Sequence, residues 1–210
     1  MSITNATIKT RKRGADGMLV KYKWQFLSIA TAFLVFLDWM TKYVAVTSLY
    51  GHPPLRIVGR FLQLMVIYNK AALFGIDPRH FLPFFPLTTF FFIFSIIAIA
   101  VIVVYYKSLR GADTLMHWGL SMILPGALGN LLDRVLHPHL GVVDFIRVGI
   151  SDTVYWPIFN LADAYVTIGV ALIFISFIRE DRSRKSTLPA SKPSGNEAET
   201  LSSNLSSSDG

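Results

Sequence analysis

Apolar residues fall into four long runs, at about 24–46, 81–106, 114–135 and 155–178, separated by short polar or mixed stretches. Each run exceeds the roughly 20 residues that carry a helix across a bilayer, and the second contains no charged residue at all. The stretch between the first two runs behaves differently. Val58-Gly59-Arg60 is flanked by β-rich residues, and Leu62, Leu64, Val66 and Tyr68 alternate with Gln63 and its neighbours, which is the period of a strand. The pattern predicts an all-α membrane protein of four transmembrane helices. A small β-sheet is expected in the outer loop between helices 1 and 2, resting on the membrane surface. Residues 1–23 form a basic head, 24–178 the membrane domain, and 179–210 a polar tail whose Ser-rich end is expected to be disordered.

Composition supports this division. Charged residues make up 16% of the chain, against about 25% in a soluble domain, while 52% are hydrophobic. The head with the first run resembles a cleavable signal peptide only superficially. Its apolar stretch continues through Asp38, Trp39 and Lys42 without a small-residue cleavage site, so a retained helix is expected. With no cysteine, disulfides, thiolate metal sites and cysteine nucleophiles are excluded. The net charge of +7 could suggest nucleic acid, but the lysines and arginines flank the apolar runs. Thirteen of them lie on the side of the two termini and seven on the other, which predicts cytoplasmic termini and an outward-facing loop 47–80.

The candidate chemistry is carboxylate. Asp38 comes late in the first run, Asp133 at the end of the third and Asp163 early in the fourth, so alternating helices bring all three to one side of the membrane. Asp144 lies in the loop between the last two runs and joins them there. An ionisable group at membrane depth costs about 2.5–3.5 kcal/mol on insertion scales, which makes each a functional-site candidate. Asn130, Asp133 and Arg134 share a helix face, and the two charges are expected either to neutralise one another in part or to reach neighbours across the bundle. Asn160 and Asp163 repeat the three-residue spacing, and Trp156-Pro157 reads as the start of the fourth helix. Asp38 and Lys42, four apart, form an expected pair at the end of the first helix. Should Asp144 and Asp163 approach closely in a partly dry site, repulsion and desolvation would leave them one proton to share, as in aspartic proteases. Buried carboxylates also serve as salt-bridge partners or proton relays, so a non-catalytic assembly or lipid-binding protein is one alternative and a transporter or channel component is another. Without internal repeats or mid-depth helix breaks, the transporter reading is weak. His137-Pro138-His139 offers only two ligands, and no metal or other cofactor is expected.

Five blocks carry a resemblance. They are Asp38-Trp39-Met40-Thr41-Lys42, Asn69-Lys70-Ala71-Ala72-Leu73-Phe74-Gly75, Gly126 through Asn130-Leu131-Leu132-Asp133-Arg134, Gly141-Val142-Val143-Asp144-Phe145, and Trp156 through Asn160-Leu161-Ala162-Asp163. In order and spacing they resemble the motif series of the lipoprotein signal peptidases (signal peptidase II), over about residues 24–178. That family consists of bacterial inner-membrane aspartic endopeptidases that remove the signal peptide of prolipoproteins just before the diacylglyceryl-modified cysteine. The resemblance implies Asp144 and Asp163 as catalytic, and Asn69, Asn130, Arg134 and Asn160 as residues that line or orient the site. Asp38, Lys42 and Asp133 correspond to support. It further implies lipid-modified prolipoprotein substrates, contact with membrane lipids, inhibition by globomycin-type lipopeptides, and a monomer that needs no cofactor. Ala71, Ala72 and Leu73 depart from the family's usual glycine followed by two alanines, and Pro125 precedes Gly126 where two glycines are common.

Overall fold

The structure, a computed structural model, describes residues 21–70, 87–109, 113–151 and 153–187. Most of the basic head, the departures at Ala71 to Leu73, the segment from Phe81 to Pro86 and the Ser-rich end lie outside the described residues. The chain divides into two compact units, one up to Ser176 and one from Phe177 onward, and the site described below lies wholly in the first.

Helix α1 (Lys23–Leu49) is followed by strands β1 (Leu55–Val58) and β2 (Leu62–Asn69), helices α2 (Leu87–Ser108) and α3 (Thr114–Leu136), strand β3 (Val142–Val148) and helix α4 (Leu161–Thr187). All four helices are long and apolar enough to cross a membrane, which makes this a multi-pass membrane protein. The three strands form an antiparallel sheet in the order β1-β2-β3. Two of them come from the loop between α1 and α2, turning at Gly59 with φ of +52°. The third arrives from the α3–α4 connection and carries Asp144.

The fourth helix begins at Leu161, not at Tyr155 as the Trp156-Pro157 signal suggests. Residues 155–159 are held instead against β3, with bridges Gly149↔Tyr155 and Ile146↔Phe159 and backbone bonds such as Phe159 N to Ile146 O at 3.0 Å. Asn160 then caps the helix. Its Oδ1 accepts from Asp163 N at 3.0 Å, while Asp163 Oδ2 accepts from Asn160 N at 3.2 Å. This is a reciprocal capping box built from Asn and Asp, and it satisfies the exposed amides more fully than Pro157 could.

Between lipid-facing helices the hydrophobic effect contributes little, so close packing must hold them together. Glycines make this possible between α3 and α4. A Cβ on Gly126 would lie 2.5 Å from Ala162 O, and one on Gly169 would lie 2.6 Å from Gly119 O. At the end of the bundle away from the sheet, Leu27, Ile102, Tyr106, Met116, Leu120 and Leu124 form an apolar cluster. There Lys23 Nζ donates to the carbonyls of Tyr106 (3.1 Å), Lys107 (3.2 Å) and Leu109 (2.8 Å), closing the C-terminal end of α2.

Candidate active site

Asp144 sits in the middle of β3, opposite Ile67 of β2, with Asn69 two residues further along the same face of β2. Gly141, at φ +94°, lets β3 enter this pairing. A side chain there would collide with the backbone of Asn69. The result is that Asn69 Nδ2 reaches Asp144 Oδ2 at 2.8 Å. The other oxygen, Oδ1, accepts from Asn160 Nδ2 at 2.7 Å. Asp144 is 2% exposed. Burial first, and then the negative charge of Asp163, push its carboxyl up to about 7, against the amides of Asn69 and Asn160 and the charge of Lys42.

Asp163, in the first turn of α4, is held from the opposite direction. Its Oδ1 accepts from Asn130 Nδ2 at 2.8 Å, and its Oδ2 from the Asn160 backbone in the capping box. Asn130 and Asn160 are joined to each other at 3.2 Å. Three neutral amides, on β2, α3 and the cap of α4, therefore grip two carboxylates without neutralising either. Both aspartates line a cavity of about 320 Å³ walled mainly by apolar groups, among them Phe91, Phe94, Ile123, Trp156 and Val166. Carboxyls coupled this way in a partly dry site can hold one proton between them, which allows acid and base chemistry at once.

Asp133 does not pair with Arg134. Its Oδ2 lies 2.8 Å from Lys42 Nζ, which also meets Asp38 Oδ2 at 2.7 Å. Adjacent residues on a helix point about 100° apart, so Asp133 turns toward α1 and Arg134 toward the cavity. Arg134 donates to Asn130 O at 2.9 Å and stacks its guanidinium over Phe91, 5.5 Å from the ring centre. Phe91 escapes a sequence search because it lies in an unbroken apolar run. Gly129 escapes it too, although its role is definite. A Cβ there would stand 2.5 Å from Asp38 Oδ2, so its absence leaves room for that carboxylate. Pro157 opens no helix and instead lines the cavity next to Trp156.

Residues 30–179 match the family model described as signal peptidase (SPase) II. The lipoprotein signal peptidase of Janthinobacterium sp. (strain Marseille) is 35% identical over 158 residues, covering 73% of this chain and 88% of that protein. That of Geobacter metallireducens is 34% identical over 165 residues, covering 78% of this chain and 96% of its own. A bacterial membrane enzyme solved by the in meso method at 2.3 Å resolution superposes with a TM-score of 0.65 at 32% identity, over 79% of this chain and 94% of that one.

Proposed function

This chain belongs to the signal peptidase II family, whose members cleave the signal peptides of lipoproteins, and from that membership we propose an aspartyl mechanism with Asp144 and Asp163 as its dyad. The observation that carries the mechanism is their convergence on one apolar-walled cavity, each gripped by neutral amides. The pair carries one proton near neutral pH. Its ionised member takes a proton from a water molecule, whose oxygen bonds to the carbon of the scissile carbonyl. The protonated member donates to that carbonyl's oxygen and stabilises the tetrahedral intermediate. As the carbon–nitrogen bond breaks, the leaving amine takes the proton gained from water, a hydroxyl of the tetrahedral intermediate returns its proton to the other aspartate as the new carboxyl group forms, and the dyad is back in its single-proton state.

The cleaved bond is the one just before a diacylglyceryl-modified cysteine, in a prolipoprotein whose signal peptide lies along the bundle. The excess of lysine and arginine near the termini favours cytoplasmic termini in a bacterial inner membrane, with the dyad toward the outer leaflet. Globomycin-type lipopeptides act as inhibitors, and the monomer is sufficient. The test is a gel-shift cleavage assay with purified protein in detergent, using lipidated and unlipidated precursor. Each buried CH₂ of an acyl chain contributes about 0.8 kcal/mol of binding, so the lipidated form should be cut much faster. Equal rates would remove lipid from the recognition, and no cleavage of either would remove the proposed activity.

A further inference from the structure

Beneath the dyad lies a second set of charges that the proposed chemistry does not use. Lys42 is 3% exposed, and its ammonium spends all its donors inside the protein, on Asp38 Oδ2 (2.7 Å), Asp133 Oδ2 (2.8 Å) and Asn130 Oδ1 (3.3 Å). Each of the two carboxylates then reaches a backbone amide on another element. Asp38 Oδ1 accepts from Ala162 N at 2.9 Å. Asp133 Oδ2 accepts from Val143 N at 3.2 Å. Ala162 immediately precedes Asp163, and Val143 immediately precedes Asp144. The lysine's third contact, Asn130, is the amide that donates to Asp163.

We infer that Lys42 is a positioning residue which, through Asp38 and Asp133, holds the backbones carrying the two dyad aspartates at a fixed separation and so sets their coupling. This inference rests on the aspartyl mechanism proposed above. One cation ties α1 to α3, to the first turn of α4 and to β3, the elements on which the dyad and two of its amide partners stand. A salt bridge serving only to stabilise the bundle would not need to end on the residue before each aspartate. Gly129 fits the same design, since any larger residue would push Asp38 off the α4 amides. Among the described residues, Arg134 from α3 lines the cavity of the dyad and Lys42 from α1 acts on Asp144 through its charge, while Asp38 from α1 and Asp133 from α3 are paired with Lys42. The cavity walls from α2 and from residues 156–159 are uncharged.

Removing one member alone leaves a buried charge unmatched and risks unfolding. The informative variant therefore neutralises the whole set with near-isosteres, Asp38→Asn, Lys42→Met and Asp133→Asn together. It is compared with wild type and with Lys42→Met alone. Cleavage of a lipidated precursor is measured for kcat, KM and pH profile, and deuterium exchange is followed in the segments holding Val143 and Ala162. In the folded triple variant kcat should fall about 10²-fold, as for a misplacement near 1 Å, with KM little changed. The two limbs of the pH profile should move together by about one unit as the carboxyls lose their fixed coupling. Both segments should exchange faster. Wild-type kcat and pH profile in a folded triple variant, or unchanged exchange in both segments, would overturn the inference. A wild-type protein that cleaves nothing would instead remove the proposed activity on which the inference rests, and the exchange arm would still decide whether Lys42 holds the two backbones.

Discussion

At the scale of single residues, the carboxyl of Asp144 makes stability depend on pH. It is pushed up to about 7 in the folded protein by burial and by Asp163, whereas an unfolded aspartate titrates near ~3.9. Between those values the folded state binds more protons than the unfolded one, so stability falls as pH rises from about 4 to about 7. Asp144→Asn cannot titrate. Its melting temperature, followed over that range in one detergent, should decline less steeply than that of the wild type. The same substitution, or Asp163→Asn, should abolish cleavage, and the double variant should cost little more, because members of one catalytic unit are not additive. Cleavage at a tenth of the wild-type rate by either single variant would exclude the dyad. Asp133→Asn behaves differently from what its neighbour Arg134 suggests. The partner it deprives is Lys42, which keeps Asp38, so it should lower the melting temperature while leaving Arg134 on Asn130 and Phe91.

Among the elements, the four helices were legible because long apolar runs of bilayer length with few charges are satisfied in a membrane by helices. The hairpin was legible from its alternation and from Gly59. The start of α4 was not, because Pro157 is a common first helical residue and the three-residue spacing of Asn160 and Asp163 fits both a shared face and a capping box. Only pairing with β3, which depends on residues far away in sequence, selects the box. Likewise the meeting of Asp144 and Asp163 at one cavity was expected from the motif blocks, but the Lys42 bridge to Asp133 was not, since it joins helices whose rotation the sequence does not state. Close helix contact yields a prediction here. Gly129→Ala should destabilise the protein by about 1–3 kcal/mol, the usual cost of overpacking, and reduce kcat through displacement of Asp38. Thermal unfolding and steady-state kinetics check both. A variant with unchanged melting temperature and rate would mean that α1 and α3 separate easily.

For the molecule as a whole, the charge bias predicts the topology. Single cysteines at Ser2 and Asp77 of this cysteine-free chain should differ in intact cells, with an impermeant thiol reagent labelling the second and not the first. The reverse pattern would turn the site inward. Depth matters as much as sidedness. The candidate site stands at helix ends and on the sheet rather than at mid-span, with Asp163 in the first turn of α4, Asp144 on β3, and Asn130 and Arg134 near the end of α3. At 1.5 Å per residue the 27 residues of α1 cover about 40 Å, so a hydrocarbon layer of about 30 Å is predicted to leave the carboxyls near its edge, within reach of water. The enzyme is thereby matched to a hydrophobic thickness. In vesicles of phosphatidylcholines with progressively longer acyl chains, turnover should rise to an optimum and then decline as the thickening bilayer submerges the water-fed face, while affinity for the lipidated peptide continues to hold.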